Sequence, residues 1–154
     1  MPDLRLFGAR AVDAMRLEKG FLHWKADLIT EFDPFETGVG RFVKMDKGDF
    51  VGKDALAKRI EHGPTKQLVS LEVDSTTAAA HGGASVMLDG AVVGTVTSGD
   101  WGHRVGKNLA YAFVQPALAA TGTALSIDMF GTLVPATVIQ PSPYDPEMRR
   151  VRQG

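Results

Sequence analysis

The chain has 154 residues, no cysteine, and 17 basic against 18 acidic side chains, for a formal net charge of −1. The absence of cysteine excludes disulfides, thiolate catalysis and zinc–thiolate sites, and the balanced charge argues against nucleic acid or an anionic membrane as a partner held by bulk electrostatics. At 44% hydrophobic and 23% charged residues, the composition is that of a soluble globular protein able to bury a core. No apolar run approaches the roughly 20 residues needed to span a bilayer, and the N-terminus lacks the apolar core of a signal peptide. A cytoplasmic protein is the simplest reading.

The first segment predicts a helix. Asp3 is placed to cap it, Phe7, Ala11, Ala14, Met15 and Leu17 fall near one face, and Gly20 follows Lys19 as a stop. From Phe21 to Lys47 the chain shows no long period. Asp33-Pro34-Phe35-Glu36 has the spacing of a helix start, with Glu three residues after a potential Asp cap. Gly38 and Gly40 then leave room only for a short helix, or for a loop whose backbone comes close to something. Arg41–Met45 alternates like a strand, and a second helix is expected over Gly52–Glu61, ended by Gly63-Pro64.

The texture changes from Lys66. Gln67–Val73, Ser85–Leu88, Ala91–Thr97, Lys107–Val114, Thr123–Met129 and Thr132–Ile139 read as strands, with two-residue hairpin turns at Asp89-Gly90 and Phe130-Gly131. Six short strands at this spacing suggest a closed or nearly closed antiparallel barrel. The fold class is therefore α+β: a helical and irregular N-terminal part over residues 1–63, followed by a six-stranded antiparallel β-barrel over residues 64–154.

Local motifs carry little chemistry. Gly48-Asp49-Phe50-Val51-Gly52-Lys53 has three residues between its glycines where a phosphate loop needs four, and Asp54 replaces the magnesium-binding hydroxyl, so a turn into a helix is the better reading. His23, His62, His81 and His103 are scattered without metal-ligand spacing. Ser98 lacks a nucleophile elbow and reads as part of a hairpin-end turn. Trp24 and Trp101 lie in loop-like segments beside basic residues, where each could stack on a flat heterocycle or serve as a half-buried structural tryptophan. No carboxylate is singled out as buried or paired, and no residue is assigned a catalytic or metal-binding role.

Five collinear segments are more informative together. They are AVDAMRLEKGF (Ala11–Phe21), WKADL (Trp24–Leu28), DPFETGVGRFVKMDKGDFVGKDAL (Asp33–Leu56), GAVVGTVTSG (Gly90–Gly99) and PSPYDPEMRRVR (Pro141–Arg152). In this order the chain resembles the C-terminal half of the glycine-cleavage T-protein (aminomethyltransferase) superfamily, most nearly the folate-binding portion of dimethylglycine and sarcosine dehydrogenases. The resemblance implies the C-terminal part of a folate-binding domain followed by the family's barrel. It also implies tetrahydrofolate-dependent one-carbon transfer or demethylation of methylated amines. Met15–Phe50 would then line a tetrahydrofolate site, and its irregularity would reflect backbone shaped around a ligand.

Arg41 stands where relatives often carry an aromatic folate contact, and its guanidinium is suited to stack on a ring or pair with the carboxylates of folate. The family's key aspartate belongs to the N-terminal half, which has no counterpart here. The implied tetrahydrofolate site is thus shared with that missing half, supplied by a protein partner or a longer chain, with flavin only in such a partner. The chain alone would be inactive. The competing expectation is a non-catalytic structural or binding barrel module. Either way, the first helix should expose part of its apolar face where the other half packs.

Overall fold

Alternating apolar residues close on themselves in the computed structural model, which describes residues 5–153. The strands are β1 (Gln67–Val73), β2 (Ser85–Leu88), β3 (Ala91–Gly102), β4 (Lys107–Val114), β5 (Ala124–Met129) and β6 (Thr132–Ile139). They form a closed barrel in the order β1-β4-β3-β2-β5-β6, antiparallel throughout, with β6 returning to pair with β1. Leu71, Val86, Ala112, Val114 and Ile127 face inward and are fully buried. The turns at Asp89-Gly90 and Phe130-Gly131 have positive φ at both central residues, 49° and 80°, then 56° and 88°. That geometry matches the right-handed twist of the flanking strands.

Strand β4 is buried on both faces. Ala110, Ala112 and Val114 point into the barrel, while Leu109 and Tyr111 join Leu17 in a second cluster outside it. Small side chains fit the narrow interior, and large ones cover the outer seam with the N-terminal segment. Phe32 extends that seam, stacked on Phe113 with ring centroids 3.8 Å apart.

Helix α1 (Ala9–Lys19) packs its Ala14, Leu17 and Glu18 against the barrel. It begins behind Gly8 with no side-chain cap; Asp3, expected in that role, lies outside the described residues. Phe7 therefore precedes the helix, and Val12 and Met15 face outward. The helix ends as expected at Gly20, which has φ 74°. Helix α2 (Lys53–His62) is entirely surface-exposed or half-buried. A four-residue helix, α3 (Arg149–Arg152), lies in the C-terminal tail. No helix among the described residues is long and apolar enough to cross a membrane.

Two local expectations are corrected. Arg41–Met45 is not a strand: Gly40–Phe42 forms a single 3-10 turn and loop follows. A closed barrel offers no free edge for an additional strand. Strand β3 does not stop at Thr97 but continues to Gly102, through a bulge between Val96 and Ser98. Ser98 and Trp101 are therefore strand residues and not turn or loop residues.

Gly94 of β3 crosses β4 so closely that a Cβ there would collide with the Phe113 carbonyl oxygen and lie 2.9 Å from Val114 Cγ1. Gly94→Val is expected to cost about 3 kcal/mol or more through overpacking. Urea denaturation measures this, and a native-like unfolding midpoint would contradict the close approach.

Candidate functional site

The irregular N-terminal stretch is fixed to the barrel by three buried carboxylates. Asp27 has no exposed surface. Its Oδ2 accepts from Arg16 Nη1 at 2.5 Å and from the His23 backbone N–H at 2.8 Å. Its Oδ1 accepts from the hydroxyls of Thr97 at 2.6 Å and Ser98 at 2.5 Å. Consecutive strand residues normally point to opposite faces, but the β3 bulge lets both hydroxyls reach one carboxylate.

Glu18 Oε1 accepts from the backbone N–H groups of Arg104 at 2.6 Å and Val105 at 3.2 Å. This bolts the end of α1 to the β3–β4 turn. Gly102 makes room for it, since a Cβ there would lie 3.1 Å from Glu18 Cγ.

Glu36 completes the set. Asp33 Oδ1 accepts from the N–H groups of Phe35 and Glu36, and Glu36 Oε2 accepts from the Asp33 N–H at 3.2 Å, a reciprocal capping box. The box closes only a turn, because Gly38 takes a left-handed φ of 75°. Glu36 Oε1 accepts from Thr65 Oγ1 at 2.6 Å and from the N–H groups of Thr65 and Lys66, holding the loop to the start of β1. Burial works to raise the Glu36 pKa, but the Thr65 hydroxyl and the surrounding N–H donors outweigh it and bring it from 4.5 down to about 2.

These anchors frame a concave pocket of about 460 Å³. One side is Gly20, Phe21, Leu22 and Leu28 with the Thr37–Phe42 turn; the other is Leu68–Ser70, Tyr111 and Pro141. The walls are mainly apolar. Tyr111 is buried, and its hydroxyl donates to the Leu17 carbonyl at 3.3 Å. Burial first, and then the charge of Asp27, push its phenol up, against the pull of Arg16.

Arg41, the residue expected to contact a cofactor, lies in the pocket lining. Its side chain is exposed, with the guanidinium carbon 4.5 Å from the Phe42 ring centroid and Nη1 donating to the Gly38 carbonyl at 3.4 Å. Among the described residues it is the one charged residue in the pocket lining. Neither tryptophan lines this pocket: Trp24 is exposed, and Trp101 borders a separate concavity near Glu72–Thr76. Among the described residues, no group of three or more His, Asp or Glu side chains could hold a metal ion.

Sequence reasoning missed Asp27, Glu18 and Glu36. Only Glu36 carries a local signal, the three-residue spacing from Asp33. The Ser98 donor to Asp27 and the Arg104 donor to Glu18 come from 71 and 86 residues away, and no short window displays that.

The glycine cleavage T-protein C-terminal barrel domain matches residues 66–145, and the GCVT N-terminal domain matches residues 2–47. The chain belongs to the glycine cleavage T-protein superfamily. It is 37% identical over 135 residues to mitochondrial dimethylglycine dehydrogenase of Mus musculus, covering 87% of this chain and 16% of that protein. It is 41% identical over 137 residues to an aminomethyltransferase of Saccharopolyspora erythraea, covering 88% and 37%. The crystal structure of the glycine cleavage system aminomethyltransferase T from Bartonella henselae superposes with a TM-score of 0.86 at 23% identity, covering 92% of this chain and 40% of that one. That likeness establishes the fold. The chain thus spans well under half the length of these T-protein relatives, and its pocket is lined from both of the stretches that the two family domains match.

The depressed Glu36 gives a stability signature. The folded state holds fewer protons than the unfolded state between pH 2 and 4.5, so stability rises with pH across that window and is lost as pH falls through it. Parent protein is expected to gain about 2 kcal/mol from this group between pH 3 and pH 6. Glu36→Gln should remove that increment, measured by urea unfolding at the two pH values. An unchanged difference would take Glu36 out of the acid transition.

Proposed function

We propose that this chain supplies one wall of a tetrahydrofolate site in a one-carbon transferase or demethylase acting on methylated amines. The observation that carries this reading is the pocket at the junction of the two matched stretches, apolar on its walls and cationic at its rim. Its volume of about 460 Å³ falls within the usual range for small-molecule sites. Flat aromatic rings suit walls made of Phe21, Leu22, Leu28 and Tyr111, and Arg41 suits either a ring face or a carboxylate.

The fit is one-sided. Among the described residues the lining contains no carboxylate and no histidine, so the acceptors this chain offers a pterin amine are neutral ones such as the hydroxyls of Thr37 and Ser70. Its most buried carboxylates, Asp27, Glu18 and Glu36, already accept internal hydrogen bonds. Tetrahydrofolate, when bound, would supply the one-carbon acceptor. The residues here would grip its apolar and anionic portions and exclude water from one side.

The remaining wall is assigned to the rest of the N-terminal domain, carried by a partner polypeptide or further length of the same protein. Phe7, Val12, Met15, Phe21, Trp24 and Phe42 are exposed, and all lie within the stretch matched by the N-terminal domain. Phe21 and Phe42 also line the pocket, so part of this exposed apolar surface lies at its edge. A flavin would reside outside this chain.

Purification from native cells, followed by tetrahydrofolate titration of the purified assembly, tests this reading. Micromolar binding supports it. A chain that captures no such polypeptide and ignores tetrahydrofolate would be a non-catalytic barrel module. Arg41→Ala is expected to weaken binding about tenfold in the assembly, the loss of one charge-assisted contact, with no change in the thermal midpoint. Equal affinity would exclude Arg41 from the site. Met15→Asp should abolish association without unfolding the chain, as sedimentation would show.

A further inference from the structure

The pocket wall at Gly20–Leu22 is held from behind by the C-terminal tail. A Cβ on Gly20 would lie 2.9 Å from Ser142 N, so the two backbones are in direct contact, and Pro141 lines the pocket beside them. The Tyr144 N–H donates to the Glu18 carbonyl at 2.9 Å. Lys19 Nζ reaches the Asp145 carboxylate at 3.3 Å and also donates to the Asp145 carbonyl. At the centre, Tyr144 Oη accepts from Arg104 Nη1 and from Arg150 Nη1, each at 2.7 Å. Arg104 belongs to the β3–β4 turn whose backbone Glu18 already holds. One residue therefore ties the tail, the turn and the end of α1 into a single knot, its hydroxyl meeting the turn and its backbone N–H meeting α1.

We propose that Tyr144 is a positioning residue: its hydroxyl, gripped by Arg104 and Arg150, straps the tail to the β3–β4 turn that Glu18 anchors to α1, and so sets the Gly20–Leu22 wall of the pocket. The knot itself needs no ligand; only its consequence for tetrahydrofolate rests on the function proposed above.

The charge around the phenol makes the strap pH-sensitive. The groups that face it are the Arg104 guanidinium from the β3–β4 turn, 5.0 Å from the ring centroid, and the Lys19 ammonium from α1 at 5.9 Å. Arg150 from α3 bonds its oxygen, and Asp145 beside it is paired with Lys19. Three cations against one paired carboxylate favour the ionised oxygen, whose charge-assisted bonds are the stronger ones. Burial opposes ionisation, but the hydrogen bonds from Arg150 and Arg104 outweigh it, and the Tyr144 phenol is lowered. The strap therefore tightens as pH rises through the Tyr144 titration and slackens below it. The chain's other tyrosine is Tyr111, and its phenol is raised. The two give separate steps in the ultraviolet tyrosinate band.

The test compares the parent chain with Tyr144→Phe. The variant is expected to lose the lower tyrosinate step. Its Phe21 amide, which donates to the Arg16 carbonyl at 2.9 Å, should exchange about tenfold faster at high pH, as for loss of one charge-assisted bond. Amides of β1 should keep their protection. In the parent, protection at Phe21 should rise through the lower step; in the variant it should be flat. Arg150→Gln should shift that step upward. Parent-like Phe21 protection and pH profile in Tyr144→Phe would overturn the proposal. In the assembled protein, tetrahydrofolate affinity should follow the same profile. If the assembly binds no tetrahydrofolate while Phe21 still follows Tyr144, the strap stands and the folate reading fails.

Discussion

A carboxylate removed from water has to be matched donor by donor, and Asp27 is matched by four from three directions. Arg16 comes from α1, the His23 N–H from the loop that carries Asp27, and the Thr97 and Ser98 hydroxyls from β3. Removing one partner of such a buried pair strands the other in a poorly solvated site, at a typical cost of about 3–5 kcal/mol. The arrangement therefore fixes relative positions as well as contributing stability. It requires the β3 bulge, because an unbulged strand would send one hydroxyl to the opposite face. It also holds the segment between α1 and α2, which has almost no regular structure of its own, in one place against a rigid barrel.

The pocket inherits that rigidity. Its walls are short pieces of chain, Gly20–Leu22 and Thr37–Phe42, which backbone hydrogen bonding alone would leave loose. Glu36 pins the second piece to the start of β1, and Glu18 with the tail pins the first. The buried carboxylates of the N-terminal segment are spent on holding shape, and the surface left to the pocket is mainly apolar, with Arg41 as its charged group among the described residues and Thr37, Ser70 and Tyr111 as its hydroxyls. That division gives the site the character of a binding wall.

What the sequence made legible follows the range of the interactions involved. The bounds of β1, β2, β4 and β6 coincide with the alternating runs, and the hairpin turns with their Asp-Gly and Phe-Gly pairs, because pleat and turn chemistry act within a few residues. The extension of β3 was hidden by its bulge, which breaks the alternation that would have revealed it. Arg41–Met45 alternates like a strand, but a closed barrel has no edge to receive it. The buried acids were invisible for a different reason: a carboxylate in a loop looks solvated until distant donors arrive. Family resemblance named the motifs containing Asp27, Glu18 and Glu36, and Arg41 as a pocket residue, without disclosing what the three acids hold.

The two-sided burial of β4 bears on the order in which the protein can assemble. Leu17 packs on Leu109 and Tyr111, and the Tyr111 hydroxyl meets the Leu17 carbonyl across 94 residues of chain. On a ribosome, α1 emerges long before the strand that will cover it, and its apolar stripe must wait. Contacts of such separation slow folding, since the closure entropy is lost before the contact is gained. Any species caught before that docking presents Leu109, Tyr111 and Phe113 along a bare strand. Recombinant yield should thus depend more on the speed of this one docking than on the stability of the finished barrel.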